Sequence, residues 1–499
     1  MTGNVEEGFS ESAPAPELIE AGFALEVADA PMLHGGLNLA DLAHVLALRD
    51  QQVIPAGAAG RLLGLLLEVS GWPAERFPYD PRYGDAYNSR ERFFVERLGA
   101  DAGWLHAGRP RREAGRIALR ICLRRMALEL MRDAAGFAAA VATLAEATAE
   151  TYMPDQTYLQ QAQPSTFGHY VLAFAYPALR DAERLRDGFD WVNRSPAGAG
   201  CVNGSRLALS RERTARLLGF EGVIDHTRDA MWQTDGFVDL LATGASLAST
   251  LSKLAEDLEI WDSREFDFVS LAGPYTRASV LMPQKRNPYA LSIVRGAAGV
   301  LLGRLSGFLG VVKTPSARSD NLIFAYGEVP RSLELAGKVT RLMTGVVSTL
   351  RVHPERMWES LCAGFSQATD LAEYVMQSCG IDYRSAYVLV GAAVRQASRQ
   401  GLRGVDLTGA MLDEAATGTI GRGLGLAGRD LSEVLDPRAI VLTRTSLGGA
   451  APEVVRRMAA DQATAAAAIR DRAAKSLGAL HDAEAALVSA AEEVAPRRG

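Results

Sequence analysis

Two long segments of helical hydrophobic period, joined by an irregular loop, limit what this chain can fold into more than any other feature. From Asp235 to Trp261 the apolar positions Leu240, Leu247, Leu251, Leu254, Leu258 and Trp261 keep three- and four-residue spacing over about seven turns. Lys253, Glu256, Asp257 and Glu259 fall on other faces. The pattern resumes after Pro288 as Leu291, Val294, Ala298, Leu301, Leu305, Leu309 and Val312, and a proline suits the start of a helix. Long helices with apolar stripes bury them most readily against other long helices. Clear period-two strand patterns are nearly absent. The expectation is an all-α fold around a long-helix bundle, and an oligomer, because stripes this long can cover a subunit interface.

A chain of 499 residues exceeds what one core supports, so several domains are expected. Residues 1–17 read as a loose tail, 18–112 as an N-terminal helical domain, 113–368 as the central bundle and 369–499 as a smaller helical domain. A net charge of −6 gives no general attraction to nucleic acid or anionic membranes, so any positive charge that matters is local. The first residues lack the basic and apolar regions of a signal peptide. No uncharged apolar run reaches about 18 residues, so no membrane span is expected. Cys122, Cys201, Cys362 and Cys379 show neither metal-ligand spacing nor a disulfide rhythm, which fits buried thiols in a reducing cytoplasm. Paired metal ligands are absent, so no metal is expected.

Chemistry concentrates in the loop between the two long helices. Ser279-Val280-Leu281-Met282-Pro283-Gln284-Lys285-Arg286-Asn287-Pro288 sets a hydroxyl, an ammonium and an amide just before a long helix. There the free backbone N–H groups and the helix dipole favour anions. Such a place can hold a carboxylate and stabilise the doubly charged form produced when a proton leaves the adjacent carbon. Spacing alone equally allows a solvated basic turn.

The segment closely resembles the signature of the fumarase/aspartase superfamily, Gly-Ser-Ser-x-Met-Pro-x-Lys-x-Asn-Pro, with six of its eight specified positions present. Met-Pro-Gln-Lys is the form typical of argininosuccinate lyases. Thr157-Tyr158-Leu159-Gln160-Gln161-Ala162-Gln163-Pro164-Ser165-Thr166-Phe167-Gly168-His169 is similar to that family's Thr-His-Leu-Gln-x-Ala-Gln-Pro-x-Thr-Phe-Gly-His. Leu105-His106-Ala107-Gly108-Arg109-Pro110-Arg111-Arg112-Glu113 is similar to its Leu-His-Thr-Gly-Arg-Ser-Arg-Asn-Asp. The resemblance implies three helical domains, the central one contributing to a twenty-helix core in a homotetramer. It also implies active sites assembled from the three blocks of three different subunits, with no cofactor. The implied reaction is anti β-elimination: a serine removes the Cβ proton, charge builds on the neighbouring carboxylate, and an amine leaves to give fumarate. Carried over, Ser279 is the base, Lys285 and Asn287 hold the charged carboxylate, and Thr157 and Gln163 bind substrate. The resemblance assigns His169, at the end of the second block, a structural part.

The sequence departs from the family where substrate should sit. Tyr158 replaces the family's acid-step histidine; it either takes that role or only packs and positions, and a phenol titrates near 10 unless its surroundings shift it. A second family histidine corresponds to Tyr87. Pro110 and Arg112 replace the Ser and Asn of the first block, whereas Arg111 matches. Arg111 and Arg112 offer charged forks to a carboxylate, and with Arg109 they alternatively form a solvated helix start. The Tyr and Gln that grip the amino-acid end of argininosuccinate correspond to Arg318 and Ile323, and Arg318 is carried as a substrate contact. Elimination groups persist while recognition groups change. The expectation is a fumarate-releasing carbon–nitrogen lyase for an N-substituted aspartate or related succinate other than argininosuccinate. Two readings stand beside it: an argininosuccinate lyase with a remodelled site, and a catalytically silent scaffold.

Overall fold

The computed structural model describes residues 13–207, 209–314 and 323–496. Its architecture follows from eight helices: α1 (Ala30–Asp50), α2 (Ala56–Ser70), α3 (Arg111–Ala147) and α4 (Ala175–Val192), then α5 (Asp235–Trp261), α6 (Tyr289–Val312), α7 (Glu328–Ser348) and α8 (Pro452–Glu492). Helix α3 packs along α4, α7 and α8, while α5 packs on α4, α6 and α7. Their facing stripes make one continuous core that includes Leu123, Phe137, Leu247, Leu251, Leu291 and Met343. A second core, with Leu46, Leu63, Leu66 and Phe94, lies where α1 and α2 meet the start of α3. A third, with Leu371, Leu389, Leu412 and Leu435, joins the helices Ala368–Cys379, Tyr383–Arg399 and Gly409–Ile420. The fold is all-α, as expected, with only short two-stranded strand pairs among the described residues.

Every apolar position predicted to face inward on α5 is buried. On α6 the stripe holds through Leu291, Val294, Ala298 and Leu301, then passes to Phe308 rather than Leu309. Two turns of 3.6 residues carry the buried line from 301 to 308, so Leu309 rotates out and is 47% exposed. Ile293, Val300 and Leu302 share that outward exposure. Helix α6 is long and apolar enough to cross a membrane by length and composition alone, but Arg295 and Arg304 interrupt it, so it contains no uncharged apolar run of about 18 residues.

Helix α3 carries a row of arginines that the sequence reading did not single out. Arg116, Arg120 and Arg124 are spaced four residues apart, so they share one face, and all three are buried. Each guanidinium donates to carbonyls at the C-terminal end of another helix. Arg116 reaches Met231 O at 2.8 Å, Arg120 reaches Trp191 O at 2.7 Å and Arg124 reaches Leu218 O at 2.8 Å. Helix ends leave such carbonyls without intrahelical donors, and cations there are favoured. Burial nevertheless pulls Arg120 down to about 9 and Arg124 to about 10.

A second buried network corrects the alternative that Arg109 is part of a solvated helix start. Asp41 on α1 receives Arg90 at 2.7 Å and Arg109 at 2.5 Å, all three side chains being essentially without solvent exposure. Arg109 also donates to the Tyr87 hydroxyl at 2.9 Å and to Ala40 O at 2.9 Å. It ties the segment before α3 to the N-terminal core.

Candidate active site

The first block forms the floor of a cleft. Helix α3 begins after Pro110, which supplies no side-chain cap, and Glu113 N donates to Pro110 O at 3.0 Å. Arg111, Arg112, Gly115 and Arg116 line the cleft with Tyr87, Asp85 and Asp29, and with Ile323 and Tyr326 opposite. Counting its open mouth, it encloses about 1000 Å³. Arg111 lies 3.5 Å from Asp85, whose carboxylate also caps the helix Ala86–Leu98 by accepting from Asn88 N. Asp29 pairs with Arg331 at 2.6 Å, and burial outweighs that pair in raising its pKa. Arg116 is stacked 4.0 Å over the Tyr326 ring. Tyr87, where the family has histidine, is buried; its phenol is pushed up by burial and engaged by Arg109.

The second block is an antiparallel hairpin, β1 (Tyr152–Thr157) with β2 (Gln160–Thr166), closed at Thr157↔Gln160. Its polar, proline-containing strands show no period-two alternation, which hid them in the sequence. Tyr158 and Leu159 occupy the two-residue turn with φ of +54° and +58°. Both central positions of such a turn need positive φ, and glycine or asparagine is usual there. A tyrosine and a leucine held so cost about 1 kcal/mol each or more. Tyr158 stands 99% exposed at the tip, with Thr157 and Gln163 exposed beside it. The base is fixed: Gln161 Nε2 donates to Ser360 O at 2.9 Å, and His169 Nε2 is 3.0 Å from Gly448 O. His169 thereby joins two segments of the chain.

The third block is a loop closed on itself. Arg277–Ala278 pairs with Arg286–Asn287, and Ser279 N donates to Lys285 O at 3.3 Å. Ser279 Oγ accepts from Met282 N at 3.0 Å, and Asn287 Nδ2 donates to Arg277 O at 3.0 Å. Arg286 anchors the loop through Leu271 O and Thr276 Oγ1. Ser279, Lys285 and Asn287 are therefore brought together, while Val280 and Leu281 point fully outward.

The three blocks do not meet within one chain. Helix α3, with 37 residues, spans about 55 Å at ~1.5 Å per residue. The cleft lies at its start and the hairpin follows its end. The Ser279 loop leaves the far end of α5, where Trp261 packs on Tyr170 and Phe167 just beyond the hairpin. Thr157, Tyr158, Gln163, Ser279, Lys285 and Asn287 thus share one end of the bundle, and Arg111 and Arg112 occupy the other. Arg318 lies outside the described residues.

A family profile described as "Lyase" matches residues 46–303, and one described as "Argininosuccinate lyase C-terminal" matches 365–442. The argininosuccinate lyase of Methanosarcina acetivorans is 32% identical over 93% of this chain and 93% of its own. That of Methanoculleus marisnigri is 34% identical over 85% of this chain and 86% of its own. Among solved structures, an EDDS lyase variant with bound fumarate has a TM-score of 0.86 at 28% identity, covering 97% of this chain and 96% of its own. The 3-carboxy-cis,cis-muconate lactonizing enzyme of Pseudomonas putida shares the fold, with a TM-score of 0.68 at 20% identity, over 91% and 99%. The chain belongs to the fumarase/aspartase lyase superfamily, as an argininosuccinate-lyase-like member. It is a carbon–nitrogen lyase.

Proposed function

We propose that the enzyme releases fumarate by anti β-elimination from an N-substituted aspartate other than argininosuccinate, in sites shared between chains of a homotetramer. The observation that carries this reading is the loop that gathers Ser279, Lys285 and Asn287 while leaving its tip exposed. Ser279 takes the Cβ proton. Lys285 and Asn287 then stabilise the carboxylate on which charge builds, the step in which preorganised donors count most. At the other end of the bundle Arg111 and Arg112, with the uncapped start of α3, suit the second carboxylate of a succinyl group. Because these groups lie tens of ångströms apart in one chain, a complete site needs neighbouring chains. Tyr158, exposed on a strained turn, is the group proposed to enter a neighbour's cleft. The outward apolar face of α6 (Ile293, Val300, Leu302 and Leu309) supplies surface for a central bundle that four copies bring to twenty helices. No cofactor is assigned, and the place of action is a cytoplasm.

The test is fumarate absorbance with a panel of N-substituted aspartates, argininosuccinate included, and the reverse reaction from fumarate and amines. Ser279→Ala should lower kcat by about 10² to 10⁴ while fold and assembly persist. Near-normal turnover in that variant would remove Ser279 as base. Argininosuccinate as the best substrate would overturn the altered specificity.

A further inference from the structure

Resting on the reading above, we infer that the amine released by this enzyme has an apolar body, alkyl or aromatic, and carries no second cationic group. The argument comes from the walls of the cleft above Arg111 and Arg112. Met32, Leu33, Met231, Trp232, Ile323 and Tyr326 line it, and they come from three separate segments of the chain. The sequence places Ile323 where argininosuccinate lyases have the glutamine that grips the amino-acid end of their substrate.

The donors in the cleft, Arg111, Arg112, Arg116 and Trp232, point the same way, although three carboxylates, Glu26, Asp29 and Asp85, also line it. Arg116 is committed to Met231 O and to the Tyr326 ring. The Trp232 indole N–H is buried without a partner among the described residues, so it suits an oxygen acceptor and repels another N–H donor. The carboxylates at the rim are occupied. Asp29 is held by Arg331, Asp85 is engaged by the cap it forms at Asn88, and Glu26 also has a partner. A guanidinium or a second ammonium entering this space would lose its water and find no open carboxylate among the described residues. An alkyl or aryl group would gain burial against six apolar side chains.

The experiment uses the purified full chain, fumarate and five amines: benzylamine, cyclohexylmethylamine, ethanolamine, 1,4-diaminobutane and arginine. Loss of fumarate absorbance is followed for each. The apolar pair should exceed the charged pair by about a hundredfold in kcat/KM, the scale that a few buried methylenes provide. Ile323→Asp should erase most of that preference, and Ile323→Val should retain it. Equal or better use of 1,4-diaminobutane or arginine would overturn the inference and leave the lyase reading standing. If no amine adds to fumarate, and no N-substituted aspartate releases it, the lyase reading falls and takes this inference with it.

Discussion

Glu113→Gln should make the protein's stability less sensitive to pH between about 4.5 and 7, and the structure sets the size of the effect. Glu113 is 1% exposed in the first turn of α3, and its Oε1 accepts from Gly198 N at 2.6 Å. Its Oε2 has no partner among the described residues. Burial raises the carboxyl from 4.5 to about 7, against the opposing pull of the Gly198 N–H, Arg109, the Gly200 N–H and Arg211. Because the folded pKa lies above the unfolded one, the contribution to stability is complete below about 4.5 and is lost as pH rises through about 7. That gap corresponds to a loss of about 3 kcal/mol by neutral pH. Glutamine keeps an acceptor for Gly198 N and carries no titrating proton. Differential scanning calorimetry from pH 4.5 to 8, at fixed protein concentration, reads the difference in Tm between wild type and variant. The variant should gain several degrees on wild type as pH rises. Parallel curves, or a gap that widens toward acid, would refute the reasoning.

The remaining expectations concern packing and assembly. Asp41→Asn strips the charge that compensates Arg90 and Arg109 in a site closed to solvent, and should cost about 3–5 kcal/mol in urea unfolding. A loss under about 1 kcal/mol would mean that the two guanidinium groups find other partners. Val300→Asp puts a charge on the outward apolar face of α6 and should dissociate the assembly in sedimentation velocity, with turnover falling in step. An unchanged oligomer that stays active would place the subunit contacts elsewhere.

The parts legible in the sequence were those whose signal is local. Helices α5 and α6 announce themselves because an apolar stripe repeats within each, and the Ser279 loop because its groups are consecutive. The β1–β2 hairpin was missed since its strands are polar and its turn holds Tyr158 and Leu159 where glycine or asparagine would have marked it. Arg116, Arg120 and Arg124 look like an ordinary charged face until the carbonyls they serve, on helices up to 115 residues away in sequence, are in place. Arg109 was ambiguous for the same reason: its partner Asp41 lies 68 residues earlier. Regularly spaced arginines on a helix otherwise rich in Ala, Leu and Ile are the one pattern that could have warned of burial. The cleft walls join side chains from the start of α1 to Tyr326, which periodicity cannot assemble.

The central claim, that each active site draws on more than one chain, is tested most directly by mixing two inactive variants. Ser279→Ala and Arg111→Ala chains are purified separately, dissociated, combined in equal amounts and reassembled. Fumarate release is then measured from whichever N-substituted aspartate the wild type turns over. If Ser279 and Arg111 come from different chains, random assembly leaves about a quarter of the sites with both groups intact, and activity should return to about that fraction of wild type. Activity that stays at the level of the separate variants, in mixtures shown to contain both chains, would place each site within one chain and contradict the account.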